Sequence, residues 1–205
     1  IIEYYSSQKT YMLKVKPDPE SSYKRGYCKA TLYCGKKEVW SRYLINNHAP
    51  VRVFVADSGE YILTMDEWGN VGELPVVIYG RRGELIKVHS IDSLGLKNDM
   101  EHIEFSVGSY WWNEDSISFF GPNEKKFLIR LHWGKWIILN LENGELFTKA
   151  GVFFRDDLEK EHEMEWEKLL EYRQKTLAVH AINLLKSNDE YELSLIHISE
   201  PTRPY

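Results

Sequence analysis

The sequence predicts a mainly β fold, in which an antiparallel meander of short strands is followed by one long C-terminal α-helix. Three observations lead to this prediction. Short apolar runs alternate with turn residues from Tyr11 to about Lys149, as in strands joined by tight turns. Aromatic residues make up 14% of the chain, and flat rings pack well on a half-buried sheet. Residues 156–186 contain neither Gly nor Pro, and their apolar residues recur at helical spacing.

The strands are predicted to pair as hairpins. Residues 27–45 form the first predicted hairpin, with a turn at Gly35, and residues 11–15 are expected to supply an earlier strand beside it. Residues 53–65 form a further hairpin, because alternating apolar residues flank the turn sequence Asp57-Ser58-Gly59.

The hairpins also repeat along the chain. Residues 76–86 align without a gap with residues 137–147, and both contain Gly-Glu-Leu after a turn. The hairpin that precedes each of them ends on a tryptophan, Trp68 or Trp133. Four antiparallel strands in a meander form one blade of a β-propeller, so we expect β-propeller-like blades, with residues 92–109 as an insertion between two of them. A β-sandwich or an open meander sheet is the structural alternative.

We therefore divide the chain into three segments. Residues 1–154 are predicted to form a partial propeller-like domain of hairpin repeats. Residues 155–192 are predicted to form the long helix, capped by Asp156 or Asp157, or to open a truncated helical segment. Residues 193–205 resemble the translation of a sequencing adaptor, so we expect them to be read-through and not protein.

Both ends of the sequence favour a fragment of a longer protein. The chain starts at Ile1 without Met, and the adaptor interpretation implies that the natural sequence continues beyond Glu192. An incomplete propeller exposes sheet edges and faces, so we expect the isolated fragment to aggregate. A monodisperse sample that melts cooperatively would contradict this expectation.

A family resemblance rests on six short segments: residues 44–47, 49–51, 57–61, 64–68, 76–79 and 83–85. On these segments, residues 32–147 resemble an uncharacterised group of bacterial β-propeller-like proteins. The resemblance implies a non-enzymatic or unassigned role, and members of such groups are often exported. This sequence shows no export signal, although a shortened N-terminus could have lost one. No functional residue is carried over from the group. The resemblance spans a little over half of the chain.

Several kinds of chemistry are not indicated. The net charge of -5 gives no electrostatic argument for nucleic acid binding. No run of 18 apolar residues is present, so no membrane span is predicted. His162 and Glu163 begin a near match to a zinc-binding helix, but the second histidine is missing, and we expect neither metal nor cofactor. Cys28 and Cys34 lie on one predicted strand, too far apart for a disulfide, so we expect two free thiols, or at most one thiol partnered outside this fragment.

One group of polar and aromatic residues is a candidate binding site. If the repeats form blades, the ends of the two repeats project at one rim of the propeller and carry aromatic faces, carboxylates and an imidazole, which suit sugar or peptide binding. The alternative is a structural role, since blade tryptophans commonly pack between sheets and acids at strand ends satisfy turn amides. The candidate residues are Asp66, Glu67, Trp68, Trp111, Trp112, His132 and Trp133.

Two classes of function are consistent with this site. The sequence favours a non-enzymatic binding or scaffolding module for a protein, peptide or carbohydrate, because no nucleophile–base pair can be assembled from it. The alternative is an extracytoplasmic propeller-type hydrolase or lyase that uses rim carboxylates. Adjacent Asp66 and Glu67 on one strand would point to opposite faces, which weakens a paired-acid mechanism.

Overall fold

The computed structural model describes residues 1–16, 28–46, 48–69, 71–106, 109–121 and 123–146. Within these ranges the fold is mainly β, and the strands pair in chain order as antiparallel neighbours. The predicted long helix, the domain boundary at residue 154 and the adaptor-like tail all lie outside the described residues.

The described residues form three larger sheets and one small hairpin. The first sheet contains β1 (Ile2–Tyr5), β2 (Tyr11–Lys16), β3 (Lys29–Cys34) and β4 (Lys37–Tyr43). The second sheet contains β5 (Pro50–Val55), β6 (Ile62–Glu67), β7 (Val76–Tyr79) and β8 (Leu85–His89). The hairpin contains β9 (Glu104–Ser106) and β10 (Ser109–Trp111), and the third sheet contains β11 (Ile117–Phe120), β12 (Lys126–Arg130) and β13 (Trp136–Asn140).

The second sheet lies between two hydrophobic cores. Successive side chains of a strand point to opposite faces, so a strand that is buried on both faces reads as a continuous apolar run. In β6, Ile62 packs into a core shared with the first sheet, whereas Leu63 and Met65 pack into a core shared with the third sheet. In β7, Val77 and Ile78 divide between the two cores in the same way. All four residues of β7 are therefore buried.

The first hairpin of each sheet contains the same turn. Ser6 accepts a hydrogen bond at its carbonyl from the amide of Lys9 (2.8 Å), and its own amide donates to the carbonyl of Tyr11 (2.9 Å). The same two bonds are made at the turns that begin with Ala56 and Gly121. The fourth residue of each turn has a positive φ, namely 58° at Lys9, 69° at Gly59 and 52° at Glu124. This shared geometry confirms that the first hairpins correspond to one another.

The second hairpins correspond less completely. Gly83 and Gly144, which the sequence alignment pairs, both have a φ of 72°. In the second sheet the chain then forms β8, whereas in the third sheet Leu146 makes an isolated antiparallel bridge to Leu139 at the edge of the described residues. The described part of the third sheet thus contains three strands and the first pairing of a further one.

The first-hairpin turns of successive sheets are hydrogen-bonded to each other. The amide of Gln8 donates to the Asp57 carboxylate (2.7 Å). The amides of Asp57 and Ser58 donate in turn to the Glu124 carboxylate (2.6 and 2.9 Å). Charge-assisted bonds of this kind are short and stronger than neutral ones. They place the same end of all three sheets side by side.

The predicted insertion contributes to the core as well as to the surface. It contains a 3₁₀ segment, Lys97–His102, and the β9–β10 hairpin. Leu94, Leu96 and Ile103 from this insertion are buried between the second and third sheets. The insertion is therefore packed into the molecule, and its hairpin extends outward from a buried base.

The structure confirms a mainly β fold of antiparallel hairpins, and the described residues form stacked sheets without a closed ring. Cys28 and Cys34 are free thiols, as the sequence predicts, and burial raises the pKa of Cys28. The sequence did not predict β1, a four-residue strand at the beginning of the chain. None of the described helical segments has the length and apolar character needed to cross a bilayer.

Candidate functional site

A buried carboxylate, that of Asp66, lies at the centre of the candidate site. Asp66 is 1% exposed and accepts hydrogen bonds from three groups. The amide of Gly72 donates to Oδ1 (2.8 Å), and the side chain of Asn113 donates to Oδ2 (2.8 Å). The indole N–H of Trp112 lies 3.0 and 3.1 Å from the two oxygens. The carboxylate therefore joins the end of β6, the loop after that strand and the segment after β10.

The backbone of Asp66 is adapted to this position. Its φ is 53°, in the left-handed region that Asp tolerates better than most residues. Its amide still donates to the carbonyl of Leu74 on the returning chain (3.0 Å). A local conformation of this kind persists where surrounding contacts determine it, and the three donors to the carboxylate supply such contacts.

Burial changes the acidity of Asp66. Desolvation is the largest effect and raises the pKa of its carboxyl to about 6. The hydrogen bonds from Trp112, Gly72 and Asn113, together with the charge of Arg52, act in the opposite direction because they favour the charged form. Asp66 is thus predominantly ionised at neutral pH, with all of its described hydrogen-bond partners acting as donors.

The loop after Asp66 carries an exposed tryptophan and holds the β9–β10 hairpin. Trp68 is 61% exposed. The amide of Tyr110 donates to the carbonyl of Val71 (2.8 Å), which ties β10 to this loop. A Cβ added at Gly72 would lie 2.8 Å from the Cβ of Tyr110, so only glycine allows this close approach without displacement. The loop and the hairpin are thus joined directly, and Asp66 anchors both.

Four exposed aromatic residues lie on the loop and the hairpin that meet at this junction. Phe105 is 75% exposed, and Tyr110 and Trp111 are each 42% exposed. Phe105 lies directly opposite Tyr110 in the hairpin, so these two side chains share one of its faces. Trp111 lies opposite Glu104 on the other face. We call Trp68, Phe105, Tyr110 and Trp111 the aromatic surface.

The remaining candidate residues have other surroundings. Glu67 is fully buried and accepts a bond from the amide of His48 (3.3 Å), on a segment other than those that bond Asp66. His132 is exposed and contacts Trp133 edge-on, with ring centroids 4.7 Å apart. His102 stacks on Trp133 at 5.5 Å, and Trp133 is partly buried against the core between the second and third sheets.

The sequence-predicted residues therefore fall into separate groups. Asp66 and Trp112 contact each other in the interior, and Trp68 and Trp111 are exposed beside them. His132 and Trp133 belong to a different cluster with His102, and no hydrogen bond between His132 and Asp66 is made in the described part of the chain. Sequence reasoning missed Asn113, Phe105 and Tyr110. Phe105 and Tyr110 lie in two short β-forming runs, residues 104–106 and 109–111, which begin within the predicted insertion of residues 92–109 and extend past its end.

The described residues contain no group of three His, Cys, Asp or Glu side chains arranged to hold a metal ion. No protein-family model matches this chain, and no curated protein sequence matches it.

Proposed function

We propose that this protein is a non-enzymatic binding module whose ligand contacts the aromatic surface. The observation that carries the proposal is the exposure of four large aromatic side chains on one short hairpin and the loop bonded to it. Exposed apolar side chains that are concentrated on one short part of a protein mark interaction sites, whereas singly exposed apolar residues need no explanation. Tyrosine and tryptophan are also enriched in protein interfaces, because they combine a large apolar face with a polar group.

The anchoring of this surface supports the same proposal. A two-stranded hairpin is only marginally stable alone. Here Asp66 and the Tyr110–Val71 bond fix its base and its adjoining loop. Binding to an ordered surface loses less conformational entropy than binding to a mobile one, so a preordered aromatic hairpin favours recognition.

The positions of the carboxylates favour binding over acid–base catalysis. General acid–base chemistry needs a carboxyl group within hydrogen-bond reach of substrate. Asp66 and Glu67 are 1% and 0% exposed, and each already accepts hydrogen bonds from backbone or side-chain donors. No observation in the described residues favours the hydrolase or lyase alternative.

A library screen tests the proposal. Immobilised protein would be probed with displayed random peptides and with a glycan array. We expect ligands that bind the natural sequence and are lost in the double variant Phe105→Ser, Trp111→Ser. The matched control is Val39→Ser, Tyr43→Ser, which alters two residues of β4 that are 43% and 59% exposed. Ligands retained by the Phe105, Trp111 variant, or a complete absence of ligands, would contradict the proposal.

A further inference from the structure

We propose that the ligand is an extended, lysine- or arginine-rich polypeptide segment that pairs with β9 as a third strand of the hairpin. This inference rests on the proposed function and specifies its partner. It is drawn from the hydrogen-bonding pattern of the hairpin, the exposure of β9 and the charge around the aromatic surface.

The hydrogen-bonding pattern leaves one edge of the hairpin open. In an antiparallel pair, residues directly opposite each other alternate between pairs that exchange hydrogen bonds and pairs whose N–H and C=O groups point outward. The amide of Tyr110 donates outward to Val71, so the Tyr110–Phe105 pair is of the second kind. The N–H and C=O of Phe105 consequently point away from β10. Among the described residues, no backbone hydrogen bond from another segment meets them.

The exposure of β9 shows that this edge is accessible. Glu104, Phe105 and Ser106 are all exposed, whereas β10 has the loop at Val71 along its outer side. Unpaired strand edges are templates for strand addition, and proteins usually protect them with charged residues, bulges or covering segments. Many recognition domains bind an extended peptide in this way, with main-chain hydrogen bonds supplying affinity and side-chain contacts supplying specificity.

The charge around the hairpin favours a basic ligand. Between residues 97 and 116 the described chain exposes four carboxylates and one lysine, Lys97. Two cations come from other segments: Lys135 of the third sheet is paired with Asp99, and Arg52 of β5 donates a hydrogen bond to Ser116. A surface with this excess of negative charge attracts cationic segments and repels acidic ones. The exposed carboxylates are those of Glu101, Glu104, Glu114 and Asp115.

The two faces of the hairpin predict the order of the ligand's residues. A ligand residue opposite Phe105 would share the face that carries the Phe105 and Tyr110 rings. Its two neighbours would point to the other face. One of them would lie beside Glu104, which is opposite Trp111, and the other beside Ser106, which is opposite Ser109. A carboxylate beside an indole face suits an ammonium or guanidinium group, through charge attraction and a cation–π contact. The preferred sequence therefore places a basic residue next to an apolar one, and alternating basic and apolar residues satisfy this in either strand direction.

Synthetic peptides with blocked termini test this inference. The probe is Lys-Leu-Lys-Leu-Lys, and its charge-reversed control is Glu-Leu-Glu-Leu-Glu. A third peptide has the probe sequence with N-methylated leucines, which removes the amide donors needed for pairing and keeps both charge and side chains. Binding to the full chain would be followed by calorimetry at low and physiological salt.

We expect the lysine peptide to bind, the glutamate peptide not to bind, and N-methylation to weaken binding about tenfold. Glu104→Lys is expected to weaken binding of the lysine peptide about tenfold, and added salt should weaken it further. Lys37→Glu on the distant β4 edge is the matched charge control and should have little effect.

Equal binding of the two charge types, equal binding of the N-methylated peptide, or no binding of the lysine peptide would overturn the inference. A different result would contradict the proposed function. Glycan ligands that depend on Phe105 and Trp111 would leave the binding module intact while excluding an added strand. A screen without any such ligand would instead contradict the binding function itself.

Discussion

The second and third sheets place different residues at corresponding positions, and the connections after those positions also differ. Asp66 is the last residue but one of β6, and Leu131 directly follows β12. Both are buried, and they lie at the same distance from the start of the preceding turn. After Leu131 the chain turns tightly, with the Leu131 amide donating to the Lys135 carbonyl (2.8 Å). After Asp66 the connection to β7 is longer, and within its described part the Asp66 carboxylate accepts a hydrogen bond from the amide of Gly72.

This comparison shows how one repeat acquires a surface that the other lacks. An apolar residue at this position completes the core and needs no partner beyond packing. A carboxylate there needs donors, and it obtains them from the loop and from the segment after β10, because burying an unpaired charge is highly unfavourable. The same contacts that satisfy Asp66 therefore fix the aromatic surface, while Trp133 in the tight turn packs against the core.

The largest effect is expected from giving the third sheet the residue of the second. Leu131→Asp would bury a carboxylate where Leu131 now packs in the core between the second and third sheets. We expect the free energy of unfolding to fall by more than about 4 kcal/mol. Urea denaturation followed by circular dichroism measures the loss. A stability close to that of the natural sequence would mean that the two positions do not differ as described.

The reverse exchange should also lower the stability of the fold, but for a different reason. Asp66→Leu removes the charge but leaves buried donors on Gly72, Trp112 and Asn113 without their acceptor, which should lower stability by about 3 kcal/mol. It should also increase hydrogen exchange in β9 and β10. Leu131→Ala, with a similar loss of stability from cavity formation, is the control and should leave exchange in that hairpin unchanged relative to the rest of the fold.

The stability of the protein should also depend on pH, because the second sheet has a buried carboxyl group where the third sheet has Leu131. The folded-state pKa of Asp66 is raised to about 6, above its unfolded value, so its contribution is fully present below about pH 4 and is lost as pH rises through 6. Relative to Asp66→Asn, which does not titrate, the natural protein should lose about 3 kcal/mol between pH 3 and pH 7. Parallel urea titrations measure this difference, and a pH-independent difference would contradict the raised pKa.

The smallest effect concerns the contact between the loop and the hairpin. Gly69 and Gly72 both have a φ of 93°, but a Cβ at Gly69 meets nothing within 4 Å, whereas one at Gly72 would collide with Tyr110. Gly69→Ala should therefore lower stability by about 1 kcal/mol from backbone strain alone. Gly72→Ala should lower it by about 1–2 kcal/mol more, since the collision adds to the same strain. Equal losses in thermal denaturation would show that the Tyr110 contact contributes nothing.

Much of the fold could be predicted because its signals are local. The turn sequences at residues 57–59 and 121–124 lie between alternating apolar residues, and the structure forms the same turn at both. The continuous apolar run of β7 reflects burial on both faces. Strands as short as β1 and β9 carry too few residues for a pattern of this kind, so the sequence did not predict them.

The environment of the candidate site could not be predicted, because it depends on distant residues. Asp66 resembles an exposed acid at a strand end, and its partners Trp112 and Asn113 lie 46 and 47 residues further along the chain. Tryptophans next to each other in the sequence also differ, since Trp111 is exposed and Trp112 is fully buried. Only the packing of the insertion between two sheets determines which of them faces solvent.

The indole proton of Trp112 gives the most direct test that a buried carboxylate anchors the aromatic surface. The chain contains seven tryptophans, and Trp112→Phe identifies the relevant signal in a nitrogen–proton correlation spectrum. We expect this proton to exchange slowly with deuterated solvent. We also expect its chemical shift to titrate with a midpoint of about pH 6, the pKa of the Asp66 carboxyl. An indole proton that exchanges as quickly as that of exposed Trp111, or that does not respond to pH, would contradict this expectation.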